Sequence, residues 1–535
     1  MRKLFTIILF CGSLIFTDKL IAQSNFGTDI KITNTPNYTQ SDAKIACAFN
    51  GWLYSAGIVT SLAKDSSGIG IFRSKDKGFT WTFMNGYFKA SAFAIYLDVE
   101  LEVTGTDTNN LIVHVAGLRR NIFFPSYQIY IDNYNGKTGR FIESNLDLFT
   151  GNRQVYDIDL ATDDLNKSNL STPYTLGLIY SVTGAINDSV IYIASLNGGK
   201  NFTVIQTVAT TLNFFRKVSL SYGKSASASN GRFFAAWERL GTNNARVGNI
   251  YTSRSSTSVS SPWTTPKNLD SLSSDAIGKC RDPRIATSYS TGIDNDSAGV
   301  TAIVLVDKDF GTAGINYDII GFYNSRAQLS NFWKRTNIAT TVGSEQQSDI
   351  VYNDSARTFL STYYNKNEAK LNYLDHSFNF TSANQNNWNL IKTEYNDVNP
   401  GPSPFPRLAY NPKEQKGAAI WLSSSASLNA AVIFDSDYNL IYVSVPSIKP
   451  VSFDINFYPN PATDFLKLNL NLNKSNQLAI QVIDISGKTV LTENYGNRNG
   501  EQNLNLDLSN LATGLYVLKV NAGNETASYK ISIQK

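Results

Sequence analysis

Between Ser41 and Val445 the chain alternates short apolar and β-branched runs with turns rich in Gly, Asn, Asp and Ser, and no stretch sustains a helical apolar period. The pattern predicts an all-β protein. It also repeats. Strand-like runs at Lys44-Ile45-Ala46, Tyr96-Leu97-Asp98, Tyr156-Asp157-Ile158, Lys217-Val218-Ser219, Arg284-Ile285-Ala286, Asp349-Ile350-Val351 and Arg407-Leu408-Ala409 recur about 50 to 70 residues apart. A second run usually follows a polar turn, as in Phe233-Phe234-Ala235-Ala236-Trp237 and Ala418-Ala419-Ile420-Trp421, and a third run and a hairpin close the unit. Four strands per unit suit a β-propeller, because each twisted sheet buries both faces only by packing on its neighbours around a ring.

The hairpins give a second count. Ser74-Lys75-Asp76-Lys77-Gly78-Phe79-Thr80-Trp81 resembles the Asp-box (BNR repeat) turn of sialidase-like propellers, with Ser74, Asp76, Gly78, Thr80 and Trp81 at its defining positions. Ser195, Asn197, Gly199, Asn201 and Phe202 form a degenerate second copy. In such a turn Asp or Asn accepts bonds from turn amides, Gly takes a left-handed conformation and the aromatic ring tucks between sheets, so these residues are folding parts rather than catalytic ones. Aromatic markers follow the later hairpins at Phe141, Trp263, Trp333 and Trp388, and the seventh unit has none. Seven first strands against six markers favour seven blades, with six as the alternative.

Pro446 and Pro450 mark residues 446–453 as a linker. Beyond it, alternating runs such as Leu466-Lys467-Leu468-Asn469-Leu470 and Tyr516-Val517-Leu518-Lys519-Val520 predict a small immunoglobulin-like β-sandwich over residues 454–535. Three motifs inside it, Phe457-Tyr458-Pro459-Asn460-Pro461-Ala462-Thr463-Asp464, Val482-Ile483-Asp484-Ile485-Ser486-Gly487-Lys488 and Leu511-Ala512-Thr513-Gly514-Leu515-Tyr516-Val517, resemble the type A C-terminal sorting domain of proteins exported by the type IX secretion system of Bacteroidota. The resemblance implies the secretion machinery as a partner, passage through the outer membrane, then removal of this domain with surface attachment or release.

The N-terminus agrees with export. Arg2 and Lys3 precede an apolar run from Leu4 to Phe16 and a small-residue site near Ala22, so residues 1–23 read as a signal peptide and residues 24–445 as the propeller. The apolar run is too short for a membrane span, and Phe10 before Cys11 argues against lipidation. The formal charge of +4 falls to +2 once Arg2, Lys3, Asp18 and Lys19 are removed, which gives no footprint for nucleic acid. Two histidines, His114 and His376, give little support to a metal centre or a Ser-His-Asp triad, and no cofactor or metal is expected. Cys47 and Cys280 fall in the first and fifth units, too far apart in a ring to bond.

A propeller binds where the loops entering its innermost strands converge. The polar residues there are Asp42, Asp98, Asp157, Arg216, Arg281, Asp282, Arg284, Asp349 and Arg407, and they are the candidate ligand-binding set. Sialidase chemistry would need three arginines on a carboxylate, a Tyr-Glu nucleophile and an Asp acid. Between Ser24 and Ser74 the one arginine is Arg73, inside the hairpin, so the family's first arginine motif is missing. Arg216, Arg284 and Arg407 could supply another triad and Glu238 an acid. Asp294-Asn295-Asp296 and Asp435-Ser436-Asp437 read as turns with too few ligands for calcium. Asp188-Ser189-Val190, Asp270-Ser271-Leu272, Asp296-Ser297-Ala298 and Asp354-Ser355-Ala356 resemble the Asp-Ser-hydrophobic glycosylation sites of exported Bacteroidota proteins. The expected function is a secreted or surface-attached propeller that binds a glycan or protein ligand without catalysis. The alternative is a sialidase-like glycoside hydrolase with its site at the channel mouth, and a purely structural surface component is the third reading.

Overall fold

A computed structural model describes residues 26–437 except 27–28, 33–37, 64, 91–93, 124–125, 165–173, 213, 226–229, 242–243, 273–278, 290–299, 311–315, 328–330, 342, 378–387, 393, 398 and 424–430, and residues 454–535 except 485–487 and 524. The signal peptide, the linker and the Asp294 and Asp296 motifs expected from the sequence lie outside the described residues. Contacts divide the chain into two units, Met1–Asn439 and Leu440–Lys535.

The first unit is a ring of seven antiparallel blades. Blade 1 runs from Tyr38–Cys47 to Thr82–Ala90, blade 2 from Ala94–Thr104 to Phe141–Phe149, and blade 3 from Val155–Thr162 to Phe202–Thr211. Blade 4 runs from Phe215–Gly223 to the short strand Lys267–Asn268, blade 5 from Cys280–Thr287 to Lys334–Ala339, and blade 6 from Glu345–Asn353 to Trp388–Lys392. Blades 4 and 5 are also joined edge to edge at Gly248 and Cys280. The first strands lie side by side in order, and the first strand of blade 7, Arg407–Asn411, returns to that of blade 1. They therefore line the central channel.

Closure explains the missing seventh marker. In the other blades the aromatic residue stands where the hairpin enters the outermost strand. Blade 7 has three strands from residues 407–436, and its fourth is the N-terminal Ile30–Lys31, paired with Phe434 and Ile433. Among the described residues no hairpin leads into that strand, so no marker stands there. Phe26 extends the closure by packing on Tyr373 and Tyr395, with ring centroids 4.9 and 4.8 Å away.

Between blades the apolar residues of facing sheets interdigitate, as with Tyr54, Ile58 and Ile71 of blade 1 against Val113, Val115 and Tyr134 of blade 2. The 74–81 turn ties blade 1 to blade 7. Ser74 Oγ donates to Asp76 Oδ1 at 2.8 Å and accepts from Gly78 N, while Asp76 accepts from Thr80 N and Thr80 Oγ1. Gly78 has φ +97°, and Trp81 meets the Phe434 ring edge-on at 5.4 Å. In the 195–202 turn, Asn197 Oδ1 accepts from Ser195 Oγ at 2.7 Å and Asn201 N at 2.9 Å.

The second unit is a β-sandwich built on one long bent hairpin. Phe465–Asp484 pairs with Asp454–Tyr458 in its first half and with Gly514–Ala522 in its second, and Thr489–Asp507 follows it throughout. Alternate residues, including Leu466, Leu468, Leu470, Leu478, Ile480 and Val482, are buried in a single core. The segment at 460–464 stitches the first strand to the last: Ser532 N donates to Asn460 Oδ1, and Ala462 exchanges backbone bonds with Ser532 and Gln534.

Candidate functional site

Six of the seven innermost strands carry an irregularity in register near their start, between Gln40 and Asp42, Tyr96 and Asp98, Val155 and Asp157, Phe215 and Val218, Arg281 and Arg284, and Gln346 and Asp349. A bulge breaks the strict alternation of side chains and re-aims its residues. Here adjacent residues, Ser41 with Asp42, Leu97 with Asp98, Tyr156 with Asp157 and Gln347 with Ser348, all line one cavity of about 200 Å³ at that end of the channel.

Four cations and four carboxylates line it: Lys44, Lys217, Arg284 and Arg407 with Asp42, Asp98, Asp157 and Asp282. Leu97 and Phe405 stand exposed at the rim, and the ring of Tyr156 meets that of the exposed Phe214 at 6.5 Å. Three residues of successive blades hold left-handed backbone there, Asp282 at φ +49°, Gln347 at +59° and Phe405 at +44°. The other described non-glycine residues with positive φ, Lys77, Arg357, Ala369 and Gln415, sit in hairpin turns where that conformation is ordinary. Buried acceptors fix the strained residues in place. Asp282 N donates to Glu238 Oε2 at 3.4 Å, Gln347 N to both oxygens of Asp307 at 3.0 and 3.1 Å, and Phe405 N to Gln347 Oε1 at 3.0 Å.

Much of the charge is committed to the ring itself. Asp98 Oδ2 accepts from Ile158 N of the next blade, Asp157 Oδ2 from Val218 N, and Asp349 Oδ2 from Leu408 N. Lys217 Nζ pairs with Asp157 Oδ1 at 2.5 Å, and deeper in the channel Lys44 Nζ pairs with Glu100 Oε1 at 2.5 Å. Burial and the neighbouring Asp157 raise Asp98 well above the carboxylate range. Burial also acts on Asp42, but Lys44, Arg407 and a hydrogen bond with Asp98 outweigh it and lower that group. Burial pushes Glu100 up to about 8 against the pull of Lys44, and pushes Glu102 to about 8 with help from Asp159 and Glu100. Arg407 is buried, and its Nε has no hydrogen-bond partner among the described residues.

Of the nine residues expected from the sequence, Asp42, Asp98, Asp157, Asp282, Arg284 and Arg407 share this cavity. Arg216 is exposed outside it, so the arginine triad is reduced to Arg284 and Arg407. Arg281 turns away onto the Tyr317 ring, 3.6 Å from its centroid, and lies 3.4 Å from Asp307. Asp349 is outside the lining and bridges blades 6 and 7. Glu238 is buried under the rim, where burial and Asp282 raise it to about 8.

Lys44, Lys217, Leu97, Tyr156, Gln347, Ser348 and Phe405 also line the cavity and are not among the residues expected from the sequence. Their signal was the position next to a strand start, which becomes informative only once the bulge is known. At the channel's other end Cys47 and Glu102 line a second cavity of about 250 Å³. Cys47 and Cys280 form no disulfide. Among the described residues no cluster of His, Cys, Asp or Glu could hold a metal. Asp435 and Ser436 end a buried strand and Asp437 pairs with Lys416, which corrects the turn expected there: that hairpin edge is covered by the N-terminal strand. His114 is buried, bonded to Thr104, Asn133 and Tyr174, and held down at about 4 by burial, so it is a neutral core group.

Residues 456–534 match the family model of the secretion system C-terminal sorting domain. The protein is therefore exported through the type IX machinery and is secreted or attached to the outer-membrane surface. No helix among the described residues is long and apolar enough to cross a membrane. No curated protein matches the chain. Among solved structures, an α-L-arabinofuranosidase of Fusarium graminearum bound to an iminosugar inhibitor is 12% identical, with 77% of this chain and 97% of that chain covered and a TM-score of 0.44. A protein of unknown function from Dyadobacter fermentans is 9% identical over 76% of this chain and 97% of its own, with a TM-score of 0.42. A Trypanosoma rangeli sialidase mutant displaying trans-sialidase activity is 11% identical over 96% and 87%, with a TM-score of 0.34. At such low similarity the chemistry of the site has to be read from its own geometry.

Proposed function

We propose that the propeller, residues 24–445, is an extracellular binding module that captures a hydroxyl-rich ligand, a glycan, at the channel mouth without catalysis, and that residues 1–23 and 454–535 serve only export. The observation that carries this is the strained rim: Asp282, Gln347 and Phe405 hold left-handed backbone outside any hairpin turn. Such conformations cost about 1–3 kcal/mol each and persist where the surroundings enforce them, typically at ligand sites. The rest of the mouth suits the same ligand. Its charges nearly balance, its rim offers Phe405, Tyr156 and Leu97 to apolar sugar faces, and the buried Arg407 Nε is a donor with no acceptor among the described residues. The carboxylates favour binding over catalysis, since Asp98, Asp157 and Asp349 each hold a backbone amide of the next blade and Asp157 also holds Lys217.

A second reading, a glycoside hydrolase, is favoured by one observation. Asp98 is raised and Asp42 lowered where they meet, and two carboxyls pushed apart in this way can divide acid and base roles. A glycan array run beside a hydrolysis screen on the mature secreted protein separates the two. Binding without turnover, weakened by Arg407→Ala, supports the binding module. Turnover abolished by Asp98→Asn would replace it with the hydrolase, and neither binding nor turnover removes both.

A further inference from the structure

A larger cavity than the channel mouth opens on the side of the ring, between blades 1 and 2, with a volume of about 400 Å³. Its origin lies in the hairpin aromatic that normally fills the wedge where two blades splay apart. Trp81 meets Phe434 at 5.4 Å, Trp263 meets Tyr192 at 5.2 Å, and Trp333 is buried against blade 4. In blade 2 the residue at this position is the smaller Phe141, which remains 46% exposed and meets Tyr134 edge-on at 5.6 Å. The pairing of the two outer strands of blade 2 is also bulged along the cleft, between Ile131 and Asp132 and between Asn133 and Tyr134.

The floor of the cleft combines flat apolar surfaces with a chain of planar polar groups. Tyr130, Asp132 and Tyr134 alternate along one strand, opposite Asp147, Ser144 and Phe141 on the next. Arg119 Nε donates to Gln128 Oε1 at 2.5 Å, the Gln128 amide donates to Asp147, and the guanidinium lies 5.2 Å over the Tyr130 ring. The buried Tyr130 hydroxyl has no hydrogen-bond partner among the described residues. Gly117 makes room for that ring, since a Cβ there would come within 2.3 Å of it.

We propose that this cleft is a second carbohydrate site, which takes a short neutral oligosaccharide. Tyr134 and Phe141 supply the faces on which a sugar's C–H surface stacks, and the Arg119–Gln128–Asp147 chain with Asp132 supplies fixed donors and acceptors for paired hydroxyls. The volume falls within the roughly 300–1,000 Å³ of small-molecule sites. One arginine beside two carboxylates selects against an anionic ligand. A peptide would instead pair along the edge of Phe141–Phe149, whereas the cleft lies on the sheet face. The proposal does not depend on the reading of the channel mouth.

The test is calorimetric titration of the mature secreted protein with short neutral gluco-, manno-, xylo- and galacto-configured oligosaccharides. The variants Phe141→Ala and Asp147→Asn in the cleft are made in an Arg407→Ala background, which takes binding at the mouth out of the signal. Saturable binding by the Arg407→Ala protein that weakens about tenfold or more in both cleft variants is the expected result. Thermal midpoints within a few degrees of the parent protein show that the variants fold. Phe141→Trp serves as a second probe, because it fills the wedge without removing a polar contact and should also abolish binding. Binding unchanged in all three cleft variants overturns the proposal. So does the absence of oligosaccharide binding by the Arg407→Ala protein, in which the cleft is intact.

Discussion

Gly78→Ala puts the closure of the ring to the test. Gly78 holds φ +97°, and a Cβ at that position would lie 1.9 Å from Cε1 of Phe434, a ring that is 1% exposed in the third strand of blade 7. Two costs arise. An L-residue in left-handed backbone loses about 1–2 kcal/mol, and forcing a methyl into a packed aromatic contact loses about 1–3 kcal/mol. Together they make about 2–5 kcal/mol, a large share of the roughly 5–15 kcal/mol that holds a typical domain. Urea unfolding followed by tryptophan fluorescence is the assay, and Trp81, which rests on the same Phe434 ring, reports locally. Phe434→Leu in the Gly78→Ala background should return the steric part but not the backbone part. Coupling of about 1 kcal/mol or more between the two sites is therefore expected from the double-mutant cycle. A loss below about 0.5 kcal/mol for Gly78→Ala, or no coupling, would refute the account of how the 74–81 turn locks blade 1 to blade 7.

Four further outcomes are expected. Folded Glu102 holds its proton to about pH 8, while an unfolded glutamate releases it near 4.3, so stability falls as pH rises through that interval. The thermal midpoint should accordingly be lower at pH 8.5 than at pH 6.5, and Glu102→Gln should raise the value at pH 8.5. Lys217→Ala removes a cation from the mouth but leaves Asp157 bonded to Val218 N, so glycan affinity should drop about tenfold on an array while the fold is kept. Deleting residues 454–535 should trap the protein in the periplasm, as fractionation would show, without changing what it binds. Modification of the Asp-Ser motifs should fall on the exposed Ser271, in a short 3-10 helix, and Ser355, in a turn, rather than on Ser189, which is paired in a strand; an intact mass that is unshifted, or that is unchanged by Ser271→Ala and Ser355→Ala together, would count against this.

The repeat of strand starts was legible because each blade must bury the same two faces, so Ile45, Ile158, Val218, Ile285, Ile350 and Leu408 recur as apolar residues on innermost strands. The seventh blade's lack of a marker was harder to read, since its last strand comes from the other end of the chain, and the two-residue Ile30–Lys31 is too short for any periodicity to reveal. The site was half legible for a related reason. Asp42, Asp98, Asp157 and Arg284 stood out by charge at strand starts, but strict alternation would have turned Leu97 and Tyr156 away from the channel. The bulge is a property of the pairing between the first and second strands of a blade, and it leaves no residue signature of its own.

The same bulges account for why charge at the mouth was a poor guide to chemistry. A propeller of this kind needs an acceptor wherever an innermost strand leaves an amide facing the preceding blade, and Asp98, Asp157 and Asp349 answer Ile158, Val218 and Leu408 in turn. Asp157 then gains Lys217, so both of its oxygens are engaged before any ligand arrives. Carboxylates at these positions would be required of a ring that bound nothing. What a purely structural ring would not require is left-handed backbone at Asp282, Gln347 and Phe405, or a buried Arg407 Nε with no acceptor among the described residues. On the proposed reading the functional weight falls on blades 5, 6 and 7, where the rim is strained, and Asp98, Asp157 and Asp349 form the frame against which that rim is held.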